Sequence, residues 1–164
     1  MSAAQHRVRR LLMLAAAGLL AACATPQRSL APGETSWSGR LALQVASEPP
    51  QSFSAGFDLR GSPQAGELLL TSPLGTTLAT VVWEPGSAEL RQGELTTRRP
   101  TLDELTTELG GTALPVAALF AWLRGQPQEA SGWQADLARQ PEGRVTARRN
   151  QPLPSAELRI VFQP

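Results

Sequence analysis

Apolar and polar residues alternate along much of residues 38–98, and this alternation limits what the chain can fold into more than any other feature. Successive side chains of a β-strand point to opposite faces, so a period of two predicts strands with one buried face. The pattern predicts six strands, over residues 38–46, 52–60, 66–72, 76–84, 88–92 and 94–98. Turn-forming residues, mainly proline and glycine, separate these segments. We therefore expect an antiparallel meander, with residues 48–50 in the loop of its first hairpin.

Two short amphipathic helices are predicted after residue 100. Thr101 and Glu104 have the spacing of a capping box, and the first helix should end before Gly110-Gly111. Its apolar stripe consists of Leu102, Leu105 and Leu109. Pro115 suits the first turn of the second helix, and Gly125 lies just past the end of that helix. The apolar side of the second helix consists of Val116, Leu119, Phe120 and Leu123.

The period of two returns after the helices, over residues 132–139, 144–149 and 156–162. Strands, then two helices, then more strands form an order that favours one antiparallel sheet with the helices on one side. We therefore expect a chain that is mostly β, with little α.

The first 22 residues have the composition of an export signal. Arg7, Arg9 and Arg10 precede the apolar run 11–20, and small residues lead to Cys23, the only cysteine. The sequence Leu-Ala-Ala-Cys predicts cleavage before Cys23 and attachment of lipid to its sulfur. Several acyl chains hold a protein firmly on a bilayer, because each buried methylene contributes about 0.8 kcal/mol. Ala24 stands where many inner-membrane lipoproteins carry aspartate, and by resemblance to known sorting signals this favours the outer membrane.

The remaining sequence predicts one folded domain on a tether. Residues 24–36 are rich in Pro, Gly, Ser and Thr, as expected of a flexible linker. We therefore divide the chain into a cleaved signal (1–22), a lipidated N-terminus with its tether (23–36) and one domain (37–164). Without the signal the net charge is −2, because three of the 15 basic residues leave and all 14 acidic residues stay. The arginines are scattered, so we expect no binding to nucleic acid. We also expect a monomer.

The composition argues against an enzyme. The single histidine, His6, lies in the signal, and the chain contains no lysine or tyrosine. With Cys23 lipidated, most nucleophile and base pairs are absent, and so are metal sites built on histidine or cysteine. The carboxylates of Asp103, Glu104 and Glu108 are expected to cap and solvate the first helix. We therefore predict no catalytic residue, no metal site and no cofactor.

The apolar face of the sheet is compatible with two functions. If its side chains pack solidly, they form only a core, and the protein is a membrane-anchored β-domain acting as an assembly or structural adaptor. If the sheet stays partly open under the helices, it encloses a hydrophobic cavity. The candidate cavity residues are the apolar positions of the strands and helices: Leu41, Leu43, Phe53, Phe57, Leu59, Leu70, Leu105, Leu119 and Phe120.

A turn made of Pro73, Leu74 and Gly75 is the second candidate functional feature. Proline and glycine set the bend, so the leucine between them should point outward. An isolated exposed leucine is common on protein surfaces. On a membrane-anchored protein, however, the same leucine is able to enter lipid, where burial contributes about 1.5–3 kcal/mol. From the residues alone, an ordinary surface leucine and a membrane contact therefore both remain open.

The sequence resembles the LolB family of outer-membrane lipoprotein receptors. The matching segments, in order after the lipidation sequence, are 37–42, 68–76 with its Ser-Pro-Leu-Gly turn, 108–110, 114–116, 120–127, 132–133 and 157–162. Each segment alone is weak evidence. Their succession over nearly the whole chain after residue 36 is specific.

The resemblance implies a fold, a function and partners. The fold is an incomplete antiparallel β-barrel, or half-barrel, covered by short helices around a hydrophobic cavity for the acyl chains of other lipoproteins. The implied partners are a periplasmic carrier like LolA, the acylated cargo and outer-membrane lipid. Leu74 falls on the family's protruding loop, which is associated with insertion. Residues 150–154 stand where the family pattern has a longer strand and hairpin, so we expect the last strands to be abbreviated.

Overall fold

Nine β-strands and two short α-helices occur in the computed structural model of the chain, which describes residues 35–108 and 115–164. The strands are β1 Thr35–Val45, β2 Gln51–Gly61, β3 Gly66–Thr71, β4 Thr77–Glu84, β5 Ser87–Gln92, β6 Leu95–Arg99, β7 Trp133–Asp136, β8 Arg144–Arg149 and β9 Ala156–Phe162. The helices are α1 Leu102–Glu108 and α2 Val116–Leu123. The chain is mostly β, as predicted. The predicted signal, Cys23, the tether as far as residue 34, and Leu109 with Gly110-Gly111 lie outside the described residues.

All nine strands belong to one antiparallel sheet with the order β6-β5-β4-β3-β2-β1-β9-β8-β7. Strands β1 to β6 pair consecutively, which confirms the predicted meander. After the helices, the chain returns through β7 and β8, and β9 pairs with the free side of β1. Within the described residues β6 and β7 are the edges, so the sheet is open and does not close into a barrel.

The sheet has two ends, and the distinction matters for the site. Four hairpins turn at one end, which we call the hairpin end: residues 46–50, 72–76, 93–94 and 150–155. The opposite end contains the first residue of β1 and the turns at 62–65, 85–86 and 137–143. Strand β1 is 11 residues long, so at about 3.4 Å per residue the two ends are separated by roughly 35 Å.

One face of the sheet, called the inner face below, buries the apolar positions of the alternating pattern. Leu41 of β1, for example, pairs with Ala55 on one side and with Ile160 on the other, and all three are buried. The intervening positions, such as Arg40 and Gln44, are exposed on the opposite face, called the outer face below. The pattern of alternation therefore acts as predicted, because a shift of one residue would turn the whole apolar set toward water.

Helix α1 begins with the predicted cap. The Thr101 hydroxyl oxygen accepts the backbone N–H of Glu104 at 3.1 Å, and the same hydroxyl donates to the Glu104 carboxylate, also at 3.1 Å. This satisfies one of the backbone N–H groups that every helix start leaves without an intrahelical partner.

Helix α2 is buried more completely than an amphipathic helix would be. All eight of its residues are apolar, and Ala118 to Leu123 are buried without interruption, so its sides are covered all round. The prediction of one apolar side was therefore too narrow, since Ala118, Ala121 and Trp122 are buried as well. At its C-terminal end, the Gln140 side chain donates to the Leu123 carbonyl at 2.7 Å.

The last three strands differ in how closely they follow the sequence pattern. Strands β8 and β9 have the predicted bounds. Strand β7 was predicted over residues 132–139 but ends at Asp136. The Asp136 carboxylate accepts the backbone N–H of Ala138 at 3.0 Å, which turns the chain out of the sheet. Strand β7 has four residues, β8 has six and β9 has seven.

Candidate functional site

The first part of the candidate site is the apolar inner face. Eight of the nine candidate cavity residues are buried: Leu41, Leu43, Phe57, Leu59, Leu70, Leu105, Leu119 and Phe120. They belong to one apolar cluster that joins strands β1 to β5, strands β7 to β9 and both helices. The structure thus brings together strand and helix positions that the apolar pattern of the sequence predicts to share one face.

Phe53 lies apart from the other eight candidates. It shares the inner face with Phe57, but it sits near the start of β2 at the hairpin end and is 36% exposed. Its neighbour across the strands is the buried Leu43. An apolar surface therefore runs from solvent at Phe53, through Leu43, into the interior.

Helix α2 meets the inner face through Phe120. The Phe120 ring makes an edge contact with Trp37 of β1, with centroids 5.7 Å apart, and another with Trp83 of β4 at 6.0 Å. Phe120 itself has no exposed surface. Edge contacts of this kind contribute about 0.5–1.5 kcal/mol each beyond the burial of area. These contacts position α2 over the sheet near the end opposite the hairpins.

Two indole N–H groups next to this apolar face have hydrogen-bond partners. The Trp83 indole N–H donates to the Ser62 carbonyl at 3.0 Å, and the Trp122 indole N–H donates to the Gln128 carbonyl at 2.8 Å. Two large aromatic side chains are thereby buried without an unsatisfied donor. Trp83 was not among the predicted cavity residues, although its place on the apolar side of β4 was visible from the alternation.

The second part of the candidate site is the turn between β3 and β4. The Ser72 N–H donates to the Thr76 carbonyl at 2.8 Å, and the Gly75 N–H donates to the Ser72 carbonyl at 2.9 Å. A third bond joins the Thr76 N–H to the Ser72 hydroxyl at 3.1 Å. Gly75 has a φ of +84°, which L-residues rarely adopt. The turn is tied at its base, and Leu74 at its tip is 94% exposed.

Two ion-paired carboxylates, Glu89 and Glu157, lie away from both parts of the site. Arg98 and Arg91 donate to the Glu89 carboxylate, and these bonds, that of Arg98 first, hold the pKa of Glu89 below its ordinary value. On the outer face, the Arg148 side chain donates to Glu157 at 2.7 Å and likewise lowers the pKa of that carboxyl. The arginines of these pairs are exposed, but only 11% of the Glu89 side chain and 20% of the Glu157 side chain are accessible. Within the described part of the chain, no three acidic, histidine or cysteine residues cluster as metal ligands would.

A buried arginine that the sequence pattern did not reveal lies at the hairpin end. Arg149 is 3% exposed, and its guanidinium carbon lies 5.4 Å from the centre of the Trp133 ring. It also donates to the Pro154 carbonyl at 3.0 Å. Burial lowers its pKa. The arginine thus holds the β8–β9 hairpin against the sheet.

Comparison with known proteins identifies the family. The family model described as "Outer membrane lipoprotein LolB" matches residues 34–162. The chain belongs to the LolB family. The match covers both helices and every strand from β1 to β9, and it includes the Leu74 turn and the apolar inner face.

Curated members of the LolB family are similar over most of this chain. A protein of Chromobacterium violaceum is 34% identical, with 73% of this chain and 69% of the relative covered. One of Bordetella petrii is 33% identical over 89% of this chain and 87% of the relative, and one of Cupriavidus pinatubonensis is 38% identical over 85% and 72%. Each carries the name outer-membrane lipoprotein LolB. None of the helices that the structure describes in our chain is long and apolar enough to cross a bilayer.

Proposed function

We propose that this protein is a lipid-anchored receptor of the outer membrane that faces the periplasm, accepts acylated lipoproteins from a LolA-like carrier and inserts them into that membrane. One observation carries the proposal. In this member of the LolB family, Leu74 is 94% exposed at the tip of a turn that three hydrogen bonds close. Because the Leu74 side chain is exposed to water, it does not contribute to the packing of the core. Moving it into lipid is favourable by about 1.5–3 kcal/mol.

The lipid anchor of the receptor is proposed to be Cys23. In this proposal residues 1–22 are removed, Cys23 carries the acyl chains, and residues 23–36 connect it to the domain that follows. The small residues before Cys23 and the apolar run 11–20 support this division. Mass spectrometry of the protein purified from membranes tests it directly through the mass of the N-terminal peptide.

The acyl chains of the cargo are proposed to lie between α2 and the inner face. The eight buried candidate residues supply an apolar lining there, and Phe53 marks the way in from solvent. Because α2 is covered on all sides, cargo entry requires α2 to move outward from Trp37 and Trp83. The gap would then be an apolar slot under a helix, which is the half-barrel with a lid that we expect.

A slot of this kind would keep the acyl chains of a lipoprotein out of water during transport. An acyl chain of 16 carbons exposed to water costs on the order of 10 kcal/mol, so a lipoprotein needs shelter between membranes. Transfer proceeds without nucleotide hydrolysis if the receptor binds the chains more tightly than the carrier does and the bilayer binds them more tightly still. No catalytic group is required, and we infer that the protein is not an enzyme.

The complete burial of α2 favours one alternative, a membrane-anchored adaptor with a filled core. The two candidates differ in whether the interior accepts lipid. A fluorescent fatty acid added to the protein should gain emission if the slot opens, and Phe57→Asn, on the inner face of β2, should reduce the gain. Circular dichroism of the variant must remain that of the folded protein. A probe that finds no site in the folded unsubstituted chain would favour the adaptor.

Substitution of Leu74 by glutamate tests the proposed insertion step. The lipidated protein is placed in liposomes and given a labelled lipoprotein on its carrier. With Leu74→Glu, cargo should still reach the receptor, because Leu74 is 94% exposed at the tip of its turn and is not part of the buried apolar cluster. Release into the bilayer should fall by at least about tenfold, since the 1.5–3 kcal/mol of leucine burial is lost and a charge replaces it.

Val161→Glu is the matched control for that experiment. Val161 is also an exposed apolar residue, 54% accessible, but it lies on the outer face near the last residue of β9, opposite Arg40 in the middle of β1. It should leave both uptake and release unchanged. Equal losses of uptake and release in Leu74→Glu would contradict the assignment of Leu74 to insertion.

A further inference from the structure

Exposed large apolar side chains concentrate at the hairpin end of the sheet. Within the described residues there are six of them, and five lie in or beside the four hairpins: Phe53, Leu74, Leu78, Leu95 and Leu153. The sixth, Val161, lies in β9 away from the β8–β9 hairpin, opposite Arg40 in the middle of β1. A random scatter of surface apolar residues would not favour one end of the sheet in this way.

Leu153 repeats the chemistry of Leu74 on a different hairpin. It is 73% exposed and stands between Pro152 and Pro154, as Leu74 stands between Pro73 and Gly75. In both places turn-forming residues expose one leucine at the tip. A leucine between two turn-forming residues is thus a signal that the sequence carries twice.

The hairpin that carries Leu153 is fixed at its base, as the Leu74 turn is. The Ala46 N–H that follows β1 donates to the Ser155 carbonyl at 2.9 Å, and Arg149 donates to the Pro154 carbonyl at 3.0 Å. On the other flank Gly132 packs so closely that a Cβ added there would lie 1.8 Å from the Gln151 carbonyl oxygen. These contacts hold the backbone on both sides and leave the Leu153 side chain in solvent.

The hairpins form a slanted row that is evenly spaced in the direction across the strands. In the strand order, the β5–β6, β3–β4, β1–β2 and β8–β9 hairpins follow one another at intervals of two strands, or about 10 Å. Measured across the strands, Leu95, which is 75% exposed, is thus displaced about 10 Å from Leu74, and Leu153 about 20 Å on the other side. The register adds a stagger along the strands, because the Leu74 turn begins level with Arg40 of β1 whereas the β8–β9 hairpin begins level with Val45.

The charge of this row suits a bilayer. Among the residues of the four hairpins only Glu48 and Glu94 are charged, and the hairpins that carry Leu74 and Leu153 have no charged residue. Charged groups are costly near hydrocarbon, so their absence around both leucines suits contact with lipid.

The length of chain before β1 permits the hairpin end to reach the membrane. Twelve residue steps separate Cys23 from Thr35, which at up to about 3.6 Å each span about 40 Å. Thr35 lies at the end opposite the hairpins, roughly 35 Å away along β1. A chain anchored at Cys23 therefore allows the sheet to stand with its hairpins on the bilayer.

We propose that Leu153 and Leu95 contact the outer-membrane bilayer on either side of Leu74, so that the protein meets lipid along a row of hairpins and not through one loop alone. This rests on the proposed membrane role of the Leu74 turn. The row sets the orientation of the sheet, and it directs Phe53 and the apolar surface behind it toward the lipid.

A single label at each hairpin tests the proposal. Cys23 is the only cysteine, so in the lipidated protein a cysteine introduced elsewhere is the one free thiol. Leu153→Cys, Leu95→Cys and Leu74→Cys are each labelled with an environment-sensitive fluorophore. The control is Gln64→Cys, an exposed position in the turn at the opposite end. The proteins are reconstituted in liposomes of phosphatidylethanolamine and phosphatidylglycerol, with and without lipids that carry a spin label on the acyl chain.

The labels at 153, 95 and 74 should shift to shorter wavelength and be quenched by the spin-labelled lipids, and the label at 64 should do neither. Quenching at 74 with none at 153 and 95 would overturn the row but leave the insertion turn standing. A label at 153 that responds only to added carrier would also overturn it, since that surface would then dock protein. Cargo transfer by the unsubstituted chain is measured separately, so failure of the receptor function is distinguishable from either result.

Discussion

Phe120→Ala tests how firmly α2 is held on the sheet. The Phe120 ring is fully buried and makes edge contacts with Trp37 and Trp83. Burial of a phenylalanine side chain contributes about 1.5–3 kcal/mol, and the two aromatic contacts add about 0.5–1.5 kcal/mol each. Truncation should therefore lower the free energy of unfolding by about 3–5 kcal/mol, the range typical of this change in a core. For a domain whose total stability is about 5–15 kcal/mol, this is a large loss.

Urea unfolding followed by circular dichroism measures this loss without depending on tryptophan fluorescence, which Phe120 itself perturbs. Phe53→Ala is the matched control, because the same atoms are removed from a residue that is 36% exposed. We expect the control to cost about 1–2 kcal/mol, since part of its ring is already in water. If the two variants unfold at the same urea concentration, Phe120 does not fasten α2 to the sheet, and our description of the interior is wrong.

Two further predictions concern the polar network and the first helix. Hydrogen bonds from Arg98 and then Arg91 lower the pKa of Glu89 below its ordinary value of 4.5, so its contribution to stability is present above that pH and is lost as pH falls through the folded pKa. Glu89→Gln should therefore unfold at a lower urea concentration than the unsubstituted protein at pH 7, and the difference should narrow on acidification below about 4.5; a constant difference would speak against the charge. Thr101→Ala should cost about 1 kcal/mol in the same titration because it removes the cap of α1, whereas Thr101→Ser should cost only a few tenths; similar losses would show that the hydroxyl bond does not matter.

The strands were largely predictable because their signal is local. Alternation of buried and exposed side chains depends only on neighbouring residues, and it placed β8 and β9 at their observed bounds. It overextended β7, since the pattern Trp133, Ala135, Leu137 continues past the point where Asp136 binds the backbone and ends the strand. Competition between a side chain and the sheet for one N–H group is not visible in a hydrophobic pattern.

The pairing of β9 with β1 could not be predicted from local sequence patterns. These strands are more than a hundred residues apart in sequence, and the alternation within each strand does not indicate which strand it pairs with. The full burial of α2 is consistent with its lack of any polar residue. Its contacts with Trp37 and Trp83 were not predictable, because they depend on how the strands are arranged in the sheet.

The part of the site that depends only on local sequence, the Leu74 turn, was predictable. Pro73 and Gly75 define a turn that exposes Leu74 whatever the rest of the fold does. The same signal surrounds Leu153, although the prolines there predict only an abbreviated hairpin when they are compared with the family pattern. Arg149 was missed, since only the fold buries it beside Trp133 and under the β8–β9 hairpin. The exposure of Phe53 was also missed, because alternation shows which face a residue is on but not how far along the strand the cover extends.

The central claim is that the interior between α2 and the inner face receives the acyl chains of another lipoprotein. The most direct measurement is photocrosslinking of cargo whose acyl chain carries a diazirine, transferred from its carrier to the lipidated protein in liposomes and analysed by peptide mass spectrometry. We predict crosslinks to inner-face residues such as Phe57 and Leu70 and to Phe120 on α2. Crosslinks confined to outer-face residues such as Val161, or none in protein that has bound cargo, would contradict the claim.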